Sequence, residues 1–157
     1  MAHDIRATLL ALKSHLTDGG YVAAALIGEP TQPLEVPTGA LFASIRQETQ
    51  DISDLTLATS IGIWTVRVRF HARMFIDASV TVSEATEIGI AAGVSDFLSS
   101  LAAAFTLGGE IQAVDFGGSN SGGVTTDFGH LDLNGTMFRI ADVTVPMIVN
   151  DDQTFTA

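Results

Sequence analysis

The chain is predicted to adopt an α+β fold, a mostly antiparallel β-sheet with two helices packed on it in the order α-β-β-β-α-β-β-β, on three observations. Residues 61–75, IGIWTVRVRFHARMF, alternate strictly: Trp64, Val66, Val68, Phe70, Ala72 and Met74 take the even positions, and Thr65, Arg67, Arg69, His71 and Arg73 the odd ones. That period of two belongs to a long, half-buried strand. Two other stretches repeat apolar residues three and four apart, as amphipathic helices do. Near the C-terminal end, Asn134-Gly135 separates two β-prone runs and is the pair that a type I′ hairpin turn favours.

Asp4 can cap a first helix whose stripe is Ile5, Leu9, Leu12 and Leu16, and Asp18-Gly19-Gly20 ends it. Residues 21–27, YVAAALI, suit a short strand. From 28 to 39 the chain carries Pro30, Pro33 and Pro37, and so many fixed φ angles and missing donors exclude a regular element; a projecting loop is expected. Residues 40–50 alternate again and read as a strand entering a polar turn near 49–54, paired antiparallel with the long strand that follows. Thr81 and Glu84 have capping-box spacing at the start of a second helix running to about residue 105. Its core face is Ile90, Val94, Phe97, Leu101 and Ala104. Gly89 and Gly93, one turn apart, mark a close approach to the sheet or to a neighbouring subunit, because glycine inside a helix costs about 1 kcal/mol relative to alanine. Gly108-Gly109 stops this helix. Residues 110–116 form a strand, 117–129 a flexible loop with five glycines, and 130–133 and 136–149 a hairpin. Pro146 should lie at a sheet edge or a bulge.

At 157 residues the chain reads as one domain, long enough to bury roughly 68–70% of the surface of its unfolded form. Eighteen acidic residues against seven basic ones give a formal net charge of −11, which argues against a general electrostatic footprint for nucleic acid. Three of those seven basic residues, Arg67, Arg69 and Arg73, share one strand face. A hydrophobic content of 46% fits either an ordinary Ala- and Val-rich core or apolar surface reserved for subunit contacts. The absence of cysteine excludes disulfide and thiol chemistry. MAHDIRATLL has no basic region followed by an apolar run, so no signal peptide is expected, and Asp96, three serines and two glycines argue against a membrane span in the second helix.

Asp127, His130 and Asp132 are close enough to raise a metal site, but they do not complete a coordination sphere. A calcium-loop register beginning at His130 fails at its first position and at its twelfth, Ala141. The glycine loop has no Gly-Lys-Ser/Thr ending and opens no helix, so it is not a phosphate cradle. Ser119 and Ser121 lack a nucleophile elbow, and His3, His15 and His71 fall on separate elements. Neither an enzyme nor a cofactor or metal is expected. The arginine face carries two readings: a solvated strand face paired with local carboxylates, or a seam meeting acidic residues of an adjoining copy.

The last third carries a more specific signal. FTLGGEIQAVDFGGS and then GHLDLNGTMFRIADVTVPMIVND resemble the tail terminator proteins of siphovirus-type phages, with long non-contractile tails, that infect actinobacteria. In that family a helix ends in a Phe-Thr-Leu-Gly-Gly-Glu-like turn, a strand carries Val-Asp, a loop leads to an Asn-Gly or Asp-Gly hairpin, and the last strand ends Pro-x-Ile-Val-Asn-Asp. Residues 105–110, Val114-Asp115, Asn134-Gly135 and 146–151 match these features. The likeness covers 97–151 and, at the level of element order and the Val-Arg-Val-Arg-Phe strand, 5–80.

The resemblance implies a single tail-terminator-like domain over 1–157, assembled in the host cytoplasm and placed in the virion at the head-proximal end of the tail. There a homo-hexameric ring would cap the tail tube protein, stop its polymerisation and present a joining surface to a head completion or neck connector protein. DNA would pass through without specific binding, and no membrane would be involved. In such a ring Arg67, Arg69, His71, Arg73, Gly89 and Gly93 are candidate subunit-interface residues, the channel wall being the competing place for the arginines. Pro30, Pro33 and Pro37 in one loop, and Gly117, Asn120, Gly123 and Asp127 in the other, are candidate contacts to tube or neck, the second loop mobile until bound. Two alternatives are a head-to-tail stopper ring at the neck and a soluble binding module unrelated to phages.

Overall fold

A computed structural model describes residues 5–55, 59–74, 79–104, 106–107, 111, 113–116 and 123–152. The elements follow the expected order: α1 (Ile5–Asp18), β1 (Ala24–Ile27), β2 (Phe42–Leu55), β3 (Thr59–Arg73), α2 (Val80–Ala103), β4 (Ala113–Val114), β5 (Thr125–Leu133) and β6 (Thr136–Asp152). The sheet runs β1-β2-β3-β6, and the outer side of β6 is shared by β4 and β5. Every pair is antiparallel except β1 with β2.

The alternation of β3 divides the sheet into two faces. Val66, Val68 and Phe70 are fully buried and, with Ala43 and Ile45 of β2 and Val143, Val145 and Met147 of β6, form the floor of the main core. Leu12 and Leu16 of α1 and Ile90, Val94, Phe97 and Leu101 of α2 cover it. The α2 face is the one its periodicity predicts, because residues three and four apart stand one above another on a helix.

The second face departs from expectation. Parallel neighbours cannot be joined by a tight turn and need a crossover of a dozen or more residues. Residues 28–41 are that crossover, so the proline-rich stretch does not project: it lies across the sheet, with Leu34 and Val36 packed on Phe42, Phe138 and Ile140 in a second, smaller cluster. Sequence periodicity assigns Phe42 to the polar side of its strand; the crossover is what buries it.

Three boundaries move, and Pro146 is placed differently. The polar run near 49–54 is not a turn but a continuation of β2, which absorbs it with register shifts between Gln47 and Thr49 and between Ile52 and Asp54. Residues 125–129, expected in the glycine loop, belong to β5, because β6 is long enough to template Thr125 opposite Thr144. The cap of α2 is Ser79 rather than Thr81: Ser79 is extended (φ −65°, ψ 162°) and its hydroxyl accepts from the Val82 N–H at 3.3 Å. Pro146 sits inside the sheet, where the outer neighbour of β6 changes from β5 to β4; its carbonyl accepts from the Asp115 N–H at 2.9 Å, and its missing donor falls in that junction. The hairpin turn is as expected, with Asn134 at φ 52° and Gly135 at φ 84°. Phe105 and Gly108-Gly109, the expected end of α2, lie outside the described residues.

Candidate functional site: a groove between helix α2 and the crossover

On the second face, cross-strand register aligns Ser44, Arg69, Asp142 and Asp127 in one row and Arg46, Arg67, Thr144 and Thr125 in the next. Arg69 grips Asp142 through two bonds, Nε to Oδ1 at 2.6 Å and Nη2 to Oδ2 at 3.2 Å. That hydrogen bond raises the Arg69 pKa further above its ordinary value. Arg46 contacts Glu29 at 2.7 Å and Glu48 at 2.9 Å, and Arg67 lies 2.9 Å from Glu48 and 3.9 Å from Asp142. The Arg67 Nε–H is not aligned to donate, so its attraction to Glu48 is one of charge alone. Three guanidiniums thus meet three carboxylates of their own chain. Local pairing, one of the two readings of this face, accounts for Arg67 and Arg69 without a second copy.

His71 is buried, not a surface residue. Its ring stacks on Phe42 at 4.2 Å with 9° between planes, and Phe138 closes edge-on at 6.0 Å. Nδ1 lies 3.3 Å from the Phe42 carbonyl, while Nε2 is buried with no hydrogen-bond partner. Burial pushes its pKa down to about 4, which keeps the ring neutral at pH 7. A residue in that position makes no direct contact with another subunit.

Five other candidates, Arg73, Gly89, Gly93, Pro33 and Pro37, line concavities around Gly39 and Ala40. A cavity of about 290 Å³ under the crossover is lined by Pro33, Leu34, Val36, Pro37, Phe42, Phe138 and Arg73. A second, of about 240 Å³, runs from Arg73 and Ala72 past Leu41 to Val82, Ala85 and Gly89. A shallower cleft continues along Gly89, Gly93, Asp96 and Ser100 to Tyr21 and Val22. Gly39 and Ala40 border all three, so the three lie side by side around those residues.

The two helix glycines have different causes. A Cβ at Gly93 would stand 2.6 Å from Leu41 Cδ1, so Gly93 lets α2 approach the end of the crossover without displacing that side chain. A Cβ at Gly89 would meet nothing within 4 Å, and nothing among the described residues requires that glycine. Gly89 belongs to the first half of α2, residues 80–89, in which no residue is buried. Val80 is 75% and Ile88 67% exposed, an unusual state for large aliphatic side chains. Glu87 ties this half to the sheet by a two-pronged bond to Arg139, Nε to Oε2 at 2.9 Å and Nη2 to Oε1 at 3.1 Å, and the guanidinium lowers the Glu87 pKa. Val80, Val82 and Ile88 were not singled out by sequence reasoning. The signal was available, since Val80 and Ile88 fall off the Ile90-Val94-Phe97-Leu101 stripe.

Among the tube and neck candidates, Pro30 and Pro33 are half-buried and Pro37 exposed. Gly117 and Asn120, like Ser119 and Ser121, lie outside the described residues. Gly123 is buried, and Asp127 is an exposed strand residue directly opposite Asp142. Asp132 serves the hairpin turn, its Oδ1 accepting from the Gly135 N–H at 2.9 Å. Among the described residues no group of three His, Asp or Glu side chains converges on a point that could hold a metal ion, and no helix is long and apolar enough to cross a membrane. No protein-family model matches the chain, and no curated protein matches it either.

Proposed function

We propose that the chain is a structural subunit of a phage virion, a tail terminator that assembles as a hexameric ring on the head-proximal end of the tail tube. The observation that carries this reading is the uncovered first half of α2. Val80 and Ile88 stand exposed on it, and its Val82 and Gly89 line a concavity with Arg73, beside concavities lined by Gly93 and by Pro33 and Pro37. Large exposed aliphatic residues around a concavity mark a protein-contact surface, whereas an enzyme of this size needs convergent polar groups. The resemblance of residues 97–151 to tail terminators supplies the kind of assembly. A ring subunit would stop tube growth by occupying the tube's last interface with one face and offering a different face to the neck.

Incubating the purified protein with tail tubes, and imaging them by negative stain, tests the reading. Rings seated at one tube end, with growth from that end blocked, are expected. Rings that bind only the portal side would identify a stopper instead, and a monomer indifferent to tubes would remove the virion reading altogether.

A further inference from the structure

Two surfaces of this chain complement each other. On α1, away from Leu12 and Leu16, Arg6, Leu10 and Lys13 recur at spacings of four and three, and Leu10 is 56% exposed. On the uncovered half of α2, Val80, Glu84 and Ile88 recur every four residues. α2 holds Glu84, Glu87 and Asp96 and no Lys or Arg. Its only charge is negative, and α1 offers the opposite sign beside an exposed leucine. Within one molecule the two helices meet at other places. His15 Nε2 lies 2.8 Å from Ser100 Oγ, and Ser100 is roughly 18 Å along the helix axis from Ile88 at about 1.5 Å per residue.

We propose that the outer face of α1 in one copy docks on the first half of α2 in the next. Leu10 would seat against Ile88, and Lys13, three residues on, would face Glu84, one turn from Ile88. An apolar contact beside an opposite-charge pair gives both burial and orientation. Paired head to tail, two different surfaces make a heterologous contact whose repetition closes a ring or runs into a filament, whereas pairing both ways across a two-fold axis would give a closed dimer. This inference rests on the ring reading and assigns its seam to the helices rather than to the arginine face.

Native mass measurement on the full chain, with tail tubes present where assembly requires them, decides the matter. Ile88→Asp is expected to abolish the ring and leave the 16.4 kDa monomer with an unchanged melting curve, since the side chain is exposed. Glu84→Lys and Lys13→Glu should each weaken association about five-fold, and the double variant should recover it. Rings that survive Ile88→Asp, or a double variant no better than the singles, would overturn the helix seam while leaving the ring reading intact. A closed dimer broken by Ile88→Asp would keep this contact and remove the ring. A wild-type chain that stays monomeric with and without tubes removes both.

Discussion

The two halves of α2 are one continuous helix, yet they live in different environments. From Ile90 to Leu101 its stripe is buried to between 0% and 4% exposure; over residues 80–89 nothing is buried. Both halves carry large aliphatic residues, so composition does not separate them. What separates them is tertiary contact: the second half packs into the main core, and the first half does not. The sheet's second face repeats the contrast: the crossover covers Phe42, His71 and Phe138, whereas Arg46, Arg67 and Arg69 are left to solvent and their carboxylates. Burial in this molecule follows what is laid over a surface.

The largest test of that contrast is Phe97→Ala against Ile88→Ser, read as free energy of chemical denaturation of the monomer. Phe97 is fully buried, so its truncation should cost about 3–5 kcal/mol, while the exposed Ile88 should change stability by less than about 0.5 kcal/mol. Equal effects would mean that the first half is packed in solution.

Next comes His71. Its pKa falls from 6.5 in the unfolded chain to about 4 when folded, so above pH 6.5 both states are neutral there. As pH drops the unfolded chain takes up the proton first. Stability is therefore lost progressively between pH 6.5 and about 4, by up to about 3 kcal/mol. His71→Phe should remove that segment of the pH dependence; an unchanged slope would show that the crossover does not seal the ring from water.

Asp142→Asn removes the charge that pairs with Arg69, both side chains being mostly shielded, and should cost about 1–2 kcal/mol. Arg67→Ala, at a more open pair, should cost no more than about 1 kcal/mol.

The smallest effect concerns the glycines. Gly89→Ala should stabilise the monomer by about 0.5–1 kcal/mol, because the helix gains and no neighbour is met. Gly93→Ala should fall short of that gain, since Leu41 must move aside. If Gly89→Ala also weakens assembly, the glycine serves the contact between copies.

What was legible in the sequence was local. The order of elements, the four buried positions of α2, the two faces of β3 and the positive φ angles at Asn134 and Gly135 follow from periodicity and turn chemistry within a few residues. The lengths of β2 and β5 were not legible, because each is set by a partner strand far away in the chain. Likewise Arg69 sits 73 positions from Asp142, and no pattern within β3 names that partner.

The sequence by itself determined which residues make helix and strand and which side of each is apolar, because those properties repeat with the geometry of one element. Only the tertiary structure decided what covers each side. Parallel pairing of β1 with β2 turns the proline stretch into a lid over His71, and the packing of the other elements leaves Val80 and Ile88 uncovered. Both outcomes depend on contacts between distant segments, which a local pattern does not specify.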